Sequence, residues 1–167
     1  MTTSTDLRTV TPDPATDLVL ERVVDVAPDL VWDAWTDPDQ VVRWFTPAPW
    51  STVSCRIDLR PGGEFHTTMR SPDGEEFPNS GCYLEVVEGR RLVFTSALGH
   101  GYRPVPADDE DVPFTAVIDL IPEGDGTRYR AVALHADPAT RDRHDEMGFA
   151  DGWGAALDQL VALVRPG

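Results

Sequence analysis

Phe149, Trp153, Leu157, Leu160 and Val164 follow one another at spacings of four, four, three and four, the period of one apolar face on an α-helix. Asp137 followed by Pro138 supplies a start signal, an N-cap acceptor with proline at the first helical position, and Arg165-Pro166-Gly167 a stop. The pattern predicts one long helix over Asp137–Val164. Gly148, Gly152 and Gly154 sit inside it, each costing about 1 kcal/mol against alanine. Either backbone or a ligand approaches the helix closely on that side, or its first half is loose or kinked near Met147-Gly148.

Upstream the pattern is different. Leu18 to Ala27 is β-branched and alternating, a first strand. Pro28 and Pro38 open two short helices, PDLVWDAWT and PDQVVRWF, whose tryptophans suit a plug more than an independent layer. From Trp50 the period becomes two: Val53, Cys55, Ile57 and Leu59 alternate with polar residues, PGG turns the chain, and Phe65, Thr67 and Met69 alternate again. Strands follow at 79–87 and 91–97 around the EGR turn, then FTAVIDLI and TRYRAVALH across PEGDG. The connection 98–113, acidic and proline-rich, is too long for a simple hairpin and reads as either a disordered insertion or a flap, the insertion being slightly favoured. Residues 1–16, rich in Thr, Pro and Asp, read as a disordered tail before a single domain over 17–167.

Charge narrows the partners. Twenty-nine acidic against fourteen basic residues leave a formal net charge of −15, which excludes nucleic acid and an anionic membrane surface. No apolar run approaches a membrane span, and the N-terminus has neither the basic nor the apolar segment of a signal peptide, so a cytoplasmic protein is expected. Cys55 and Cys82, far apart and without CxxC spacing, are expected to be reduced structural thiols.

The order strand, two short helices, about six or seven antiparallel strands and a long C-terminal helix is α+β, and the only element long enough to cover the sheet is that helix. The DLRPGGEF turn, the strand pair GCYLEVVEGRRLVFT, the GDGTR hairpin and the ending HDEMGFADGWGAALDQL together resemble the SRPBCC, or START-like, superfamily, with the helix-grip fold of the birch pollen allergen. Within it the chain is most similar to the branch of homologues of the activator of the heat-shock protein 90 ATPase. The resemblance covers nearly all of Leu18–Val164. It implies a curved sheet wrapped around the helix, with a cavity between them for an apolar small molecule or lipid. Relatives in the superfamily range over lipid carriers, polyketide cyclases or aromatases, self-sacrificing resistance proteins and chaperone cofactors, so fold alone does not fix activity. The sequence shows no counterpart of the extra N-terminal domain through which the chaperone activators engage their partner.

If the helix grips the sheet, alternation lines the cavity with Phe65, Thr67, Met69, Tyr83, Phe94, Ser96, Ile118, Tyr129 and Ala133, under Met147, Phe149, Trp153 and Leu157. Trp32 and Trp35 are expected to wedge the small helices, while Trp44 and Trp50, flanking the TPAP turn, are placed at the mouth. His135 and His144, nine residues apart across the strand-to-helix corner, are expected at one end of the cavity. There, with Tyr83 or Tyr129, they could polarise a carbonyl or move a proton. His66 is expected on the solvent face and His100 in the 98–113 connection. No HExxH spacing, GxSxG elbow or phosphate-binding loop is present, and ADDEDV lacks the pattern of a calcium loop, so neither metal nor other cofactor is expected.

Three functions remain, in this order: binding of a hydrophobic or aromatic small molecule or lipid; a metal-free cyclase, dehydratase or hydrolase using those histidines and tyrosines; and a stress-related co-chaperone domain acting on a heat-shock ATPase. Monomer and homodimer both stay open.

Overall fold

The computed structural model describes residues 7–165. Strand β1 (Asp17–Val24) leads into helices α1 (Pro28–Thr36) and α2 (Pro38–Trp44). Asp37 ends the first helix and begins the second, its carboxylate accepting from the Asp39 N–H at 3.0 Å. Proline at the first position of each supplies the preset φ that a helix start needs. A run of strands follows: β2 (Ser51–Ile57), β3 (Glu64–Arg70), β4 (Glu76–Val87), β5 (Arg91–Thr95), the two-residue β6 (Leu98–Gly99) and β7 (Arg103–Pro104), β8 (Thr115–Glu123) and β9 (Gly126–Leu134). Helices α3 (Pro138–Glu146) and α4 (Phe149–Val164) close the described chain.

Seven strands form one antiparallel sheet in the order β1-β9-β8-β5-β4-β3-β2. The meander β2 to β9 returns to β1, and α1 and α2 carry the chain between the two edges. The backbone of α4 runs mainly alongside α2, α1 and β1. It crosses the concave face with Leu157, Leu160 and Val161 packed into the core, while Phe149, Gly152, Trp153 and Ala156 border open space. Register shifts at Thr52/Ser54 in β2 and at Tyr83/Glu85 in β4 mark bulges, which bend the strands that carry them.

The core runs through the concave face. Trp32, Trp35, Trp44, Phe65, Tyr83, Phe94, Ile118, Leu157 and Leu160 are all buried in one cluster. Trp35 meets Trp44 edge-on at 4.8 Å, Phe65 meets Phe94 edge-on at 5.0 Å, and Phe65 stacks on Tyr83 at 5.4 Å. Such aromatic pairs contribute about 0.5–1.5 kcal/mol each beyond area burial. The outer face carries a buried ion pair, Arg91 with Asp119, facing each other across β5 and β8.

Four sequence expectations are corrected. The helix over 137–164 is two helices, broken at Met147-Gly148, where Gly148 has φ +93. That left-handed value is strained for any residue with a Cβ, so glycine both permits and fixes the break. The connection 98–113 is in part built structure: β6 and β7 pair across a 3-10 turn at His100–Tyr102, the Gly101 N–H donates to the Gly62 carbonyl at 2.8 Å, and the Tyr102 ring lies over Gly62. The bulge in β2 reverses Val53, which is exposed while Thr52 is buried. Leu59 falls beyond the end of β2 and is exposed too. Residues 1–6 of the expected tail lie outside the described residues. Residues 7–16 form no helix or strand, and the Val10 and Thr16 carbonyls pair with Arg130 and His135.

Candidate functional site

Where α4 stands away from the sheet the concave face is hollow, in two adjoining lobes. The larger, about 300 Å³, is walled by Trp35, Trp44, Phe45, Pro47, Phe94, Phe114, Tyr129, His144, Met147, Gly148, Phe149, Gly152, Trp153 and Ala156. The smaller, about 220 Å³, shares Phe45, Pro47, Phe94 and Phe114 and adds Thr46, Phe65, Thr67, Met69, Asn79, Ser80, Gly81 and Ser96. Volumes of this order suit a small organic molecule, and walls of mostly aromatic carbon with few polar groups are what such sites share.

The glycines of α4 now separate. A Cβ on Gly152 would meet nothing within 4 Å, so this position simply leaves room in the larger lobe. A Cβ on Gly154 would come within 2.5 Å of the Arg22 guanidinium, which donates to the Gly154 carbonyl at 3.5 Å and pairs with Asp158 at 3.1 Å. The close approach at Gly154 is thus made by an arginine side chain from β1, not by the backbone or ligand expected from the sequence. On the rim, the Gln159 carboxamide joins α4 to the segment after α2. Its Oε1 accepts from the Ala48 N–H at 2.9 Å, and its Nε2 donates to the Trp44 and Thr46 carbonyls at 2.9 Å each.

Of the residues singled out in the sequence, the hollow brings together Trp44, Phe65, Thr67, Met69, Phe94, Ser96, Tyr129, His144, Met147, Phe149 and Trp153. It leaves out Tyr83, Ile118, Ala133 and Leu157, which are packed solid, and His135, which stands behind His144. Trp50 is 37% exposed and lies against Phe77 at 5.7 Å, away from the lobes. Trp35, expected only as a wedge, is a wall. Phe45, Pro47 and Phe114 were not singled out as lining; Phe114, just before β8, shares the parity of Ile118 in FTAVIDLI, and the same alternation extended by four residues could have found it.

Polar groups at the larger lobe are few. Trp44 donates its indole N–H to the Ala34 carbonyl at 2.8 Å, whereas the buried Trp35 indole N–H has no partner among the described residues. Burial pushes the Tyr129 phenol above its ordinary 10.0, an effect only partly offset by the nearby Trp35 indole. The Tyr83 hydroxyl, buried and unpartnered, is pushed up likewise, so neither phenol is an anion near neutral pH. Cys55, half-buried, and Cys82, buried, are both free thiols; desolvation, helped by Asp37, raises Cys55 to about 11 and makes it a poor nucleophile. Among the described residues, no three His, Cys, Asp or Glu side chains converge as a metal site. His66 stands on the convex face, its Nδ1 2.7 Å from the Ser80 hydroxyl, and His100 lies in the 3-10 turn.

His135 and His144 touch, Nε2 to Nδ1 at 2.8 Å, and His135 Nδ1 lies 2.7 Å from the Thr16 carbonyl oxygen. Desolvation first, and the neighbouring His135 second, lower His144 from 6.5 to about 4. Between those values the unfolded chain holds a proton that the folded one does not, so stability rises with pH through this window and is lost as pH falls from 6.5 towards 4. Urea unfolding across the window should show the native chain losing on the order of 2 kcal/mol more than a His144→Phe variant. Parallel losses in the two proteins would remove His144 as the cause.

The family described as "Activator of Hsp90 ATPase homolog 1-like protein" matches residues 25–165. A protein of Nitrosomonas europaea with a crystal structure is 49% identical, with a TM-score of 0.88, covering 92% of this chain and 97% of its own. A Chromobacterium violaceum protein is 26% identical (TM-score 0.69, 91% and 99% covered). An AHSA1-like protein of Aeromonas hydrophila is 25% identical (TM-score 0.67, 89% and 91% covered). No curated protein matches the chain.

Proposed function

Because the chain belongs to the Activator of Hsp90 ATPase homolog 1-like family, within the SRPBCC helix-grip superfamily, we propose that it binds an apolar, aromatic small molecule in the two-lobed hollow beneath α4. Membership itself supports a ligand-binding or co-chaperone-like domain. The observation that favours the first is the hollow: about 300 Å³ in its larger lobe, bounded by aromatic rings and by a glycine whose missing side chain keeps it open. A core with no ligand to hold would gain roughly 1 kcal/mol or more for each methyl-sized void it filled.

Chemistry in the hollow has less support. Its one imidazole is held neutral, its one phenol, Tyr129, is neutral, and no acid and base stand opposed across it. Retention and delivery of a ligand need only what the walls provide. A cytoplasmic location is part of the same proposal and is supported by the two free thiols; among the described residues no helix is long and apolar enough to cross a membrane.

The test is titration with N-phenylnaphthylamine, an uncharged fluorophore that the net charge of −15 does not repel. Saturable, blue-shifted emission at one probe per chain, displaced by naphthalene, is the expected result. Absence of saturable emission, with naphthalene leaving the melting temperature unmoved, would overturn the reading.

A further inference from the structure

The hydrogen-bond ladder behind the larger lobe has a direction. The Thr16 carbonyl oxygen can only accept, so the proton on that 2.7 Å contact belongs to His135 Nδ1. In a neutral imidazole the other nitrogen then carries a bare lone pair. His135 Nε2 must accept, and the 2.8 Å contact is donated by His144 Nδ1. His144 is thereby fixed as the tautomer with Nδ1 protonated, and its Nε2 is left as an acceptor with no partner among the described residues. Thr16, before β1, sets the proton on a residue 128 positions away in sequence through one intermediate ring.

That acceptor belongs to an aromatic wall. The His144 ring lies 5.0 Å from Phe114, 5.2 Å from Phe149 and 6.2 Å from Trp153. A ligand in the larger lobe therefore meets aromatic faces on several sides, the lone pair of His144, and at Trp35 an indole N–H without a partner among the described residues. Resting on the binding reading above, we infer that the larger lobe selects an aromatic ligand bearing a hydroxyl, of the phenol or naphthol class, which donates to His144 Nε2. The ladder offers a carbonyl or ether oxygen nothing, because two acceptors cannot share a hydrogen bond. This reverses the carbonyl-polarising role that the histidine pair suggested in the sequence.

The experiment compares β-naphthol, its methyl ether and naphthalene as competitors of N-phenylnaphthylamine near neutral pH. One neutral hydrogen bond predicts about a fivefold to tenfold preference for naphthol over the ether. In His144→Phe that ratio should fall close to one. A readout that does not depend on a variant is the imidazole nitrogen spectrum of the native protein: the unprotonated His144 Nε2 resonance should move on adding naphthol and stay in place with the ether. Equal affinity for the naphthol and its ether in the native protein, or a preference that survives in His144→Phe, would overturn the inference while the hollow remains a binding site. Failure of all three compounds to compete would instead overturn the binding reading itself.

Discussion

Gly152→Phe is expected to lower the affinity for N-phenylnaphthylamine by more than tenfold without weakening the fold. A Cβ at this position meets nothing within 4 Å, and the residue lines the larger lobe, so the new ring enters the space that the ligand would occupy. Gly152 is helical, within α4, and replacing glycine by phenylalanine there gains roughly 0.5 kcal/mol of helix propensity. Filling an apolar void adds burial at about 25 cal/mol per Å². The two effects act in the same direction, so the variant should melt at or above the native temperature while losing the probe. Calorimetry together with fluorescence titration separates the outcomes: undiminished uptake in a folded variant would place the probe elsewhere and sink the assignment of the hollow.

The largest expected effect on stability is Asp119→Ala. Arg91 donates Nε to Asp119 Oδ1 at 2.6 Å and Nη2 to Oδ2 at 3.1 Å, with side chains only 7% and 10% exposed. Among the described residues the only other carboxylate within reach is Glu85, at 3.5 Å from Nη1 and 40% exposed itself. Truncating Asp119 leaves a buried guanidinium without its planar, two-pronged partner, and removing one side of such a pair costs about 3–5 kcal/mol. In a domain of this size that is a fall of roughly 10 °C or more in melting temperature. The double replacement Arg91→Met with Asp119→Leu should recover most of the loss, because no charge is then stranded. Urea unfolding of the two single variants and the double gives the coupling directly; a loss under about 1 kcal/mol for Asp119→Ala would show that water reaches Arg91 freely.

The sheet was legible because half-buried strands alternate with period two, and the alternation of Phe65, Thr67 and Met69 survives in the structure as one face of β3. Val53 escaped because a bulge shifts one residue of phase, a backbone event that leaves no trace in residue type. The break between α3 and α4 was hidden for a related reason. The apolar face read along the terminal helix lies wholly within α4, and glycine at 148 reads equally as a tolerated interior residue or as a left-handed junction. Trp35 and Trp50 exchanged places: Trp35, inside α1 and expected only as a wedge, walls the hollow, while Trp50, expected at the mouth beside the TPAP turn, lies against Phe77. The histidine ladder was half visible. The spacing of His135 and His144 put them at one corner, but the group that sets their protons is a carbonyl next to β1, which no local pattern connects to them.

The Gln159 carboxamide has a consequence for traffic through the hollow. Because it grips three main-chain groups of the segment 44–48, that segment and α4 move as one piece, and parting them breaks three bonds together. The opposite lip is Met147, 70% exposed, next to a glycine pivot that no side chain crowds. For the ligand proposed above, the 44–48 side is therefore the costlier way in, and entry is expected at the α3–α4 elbow.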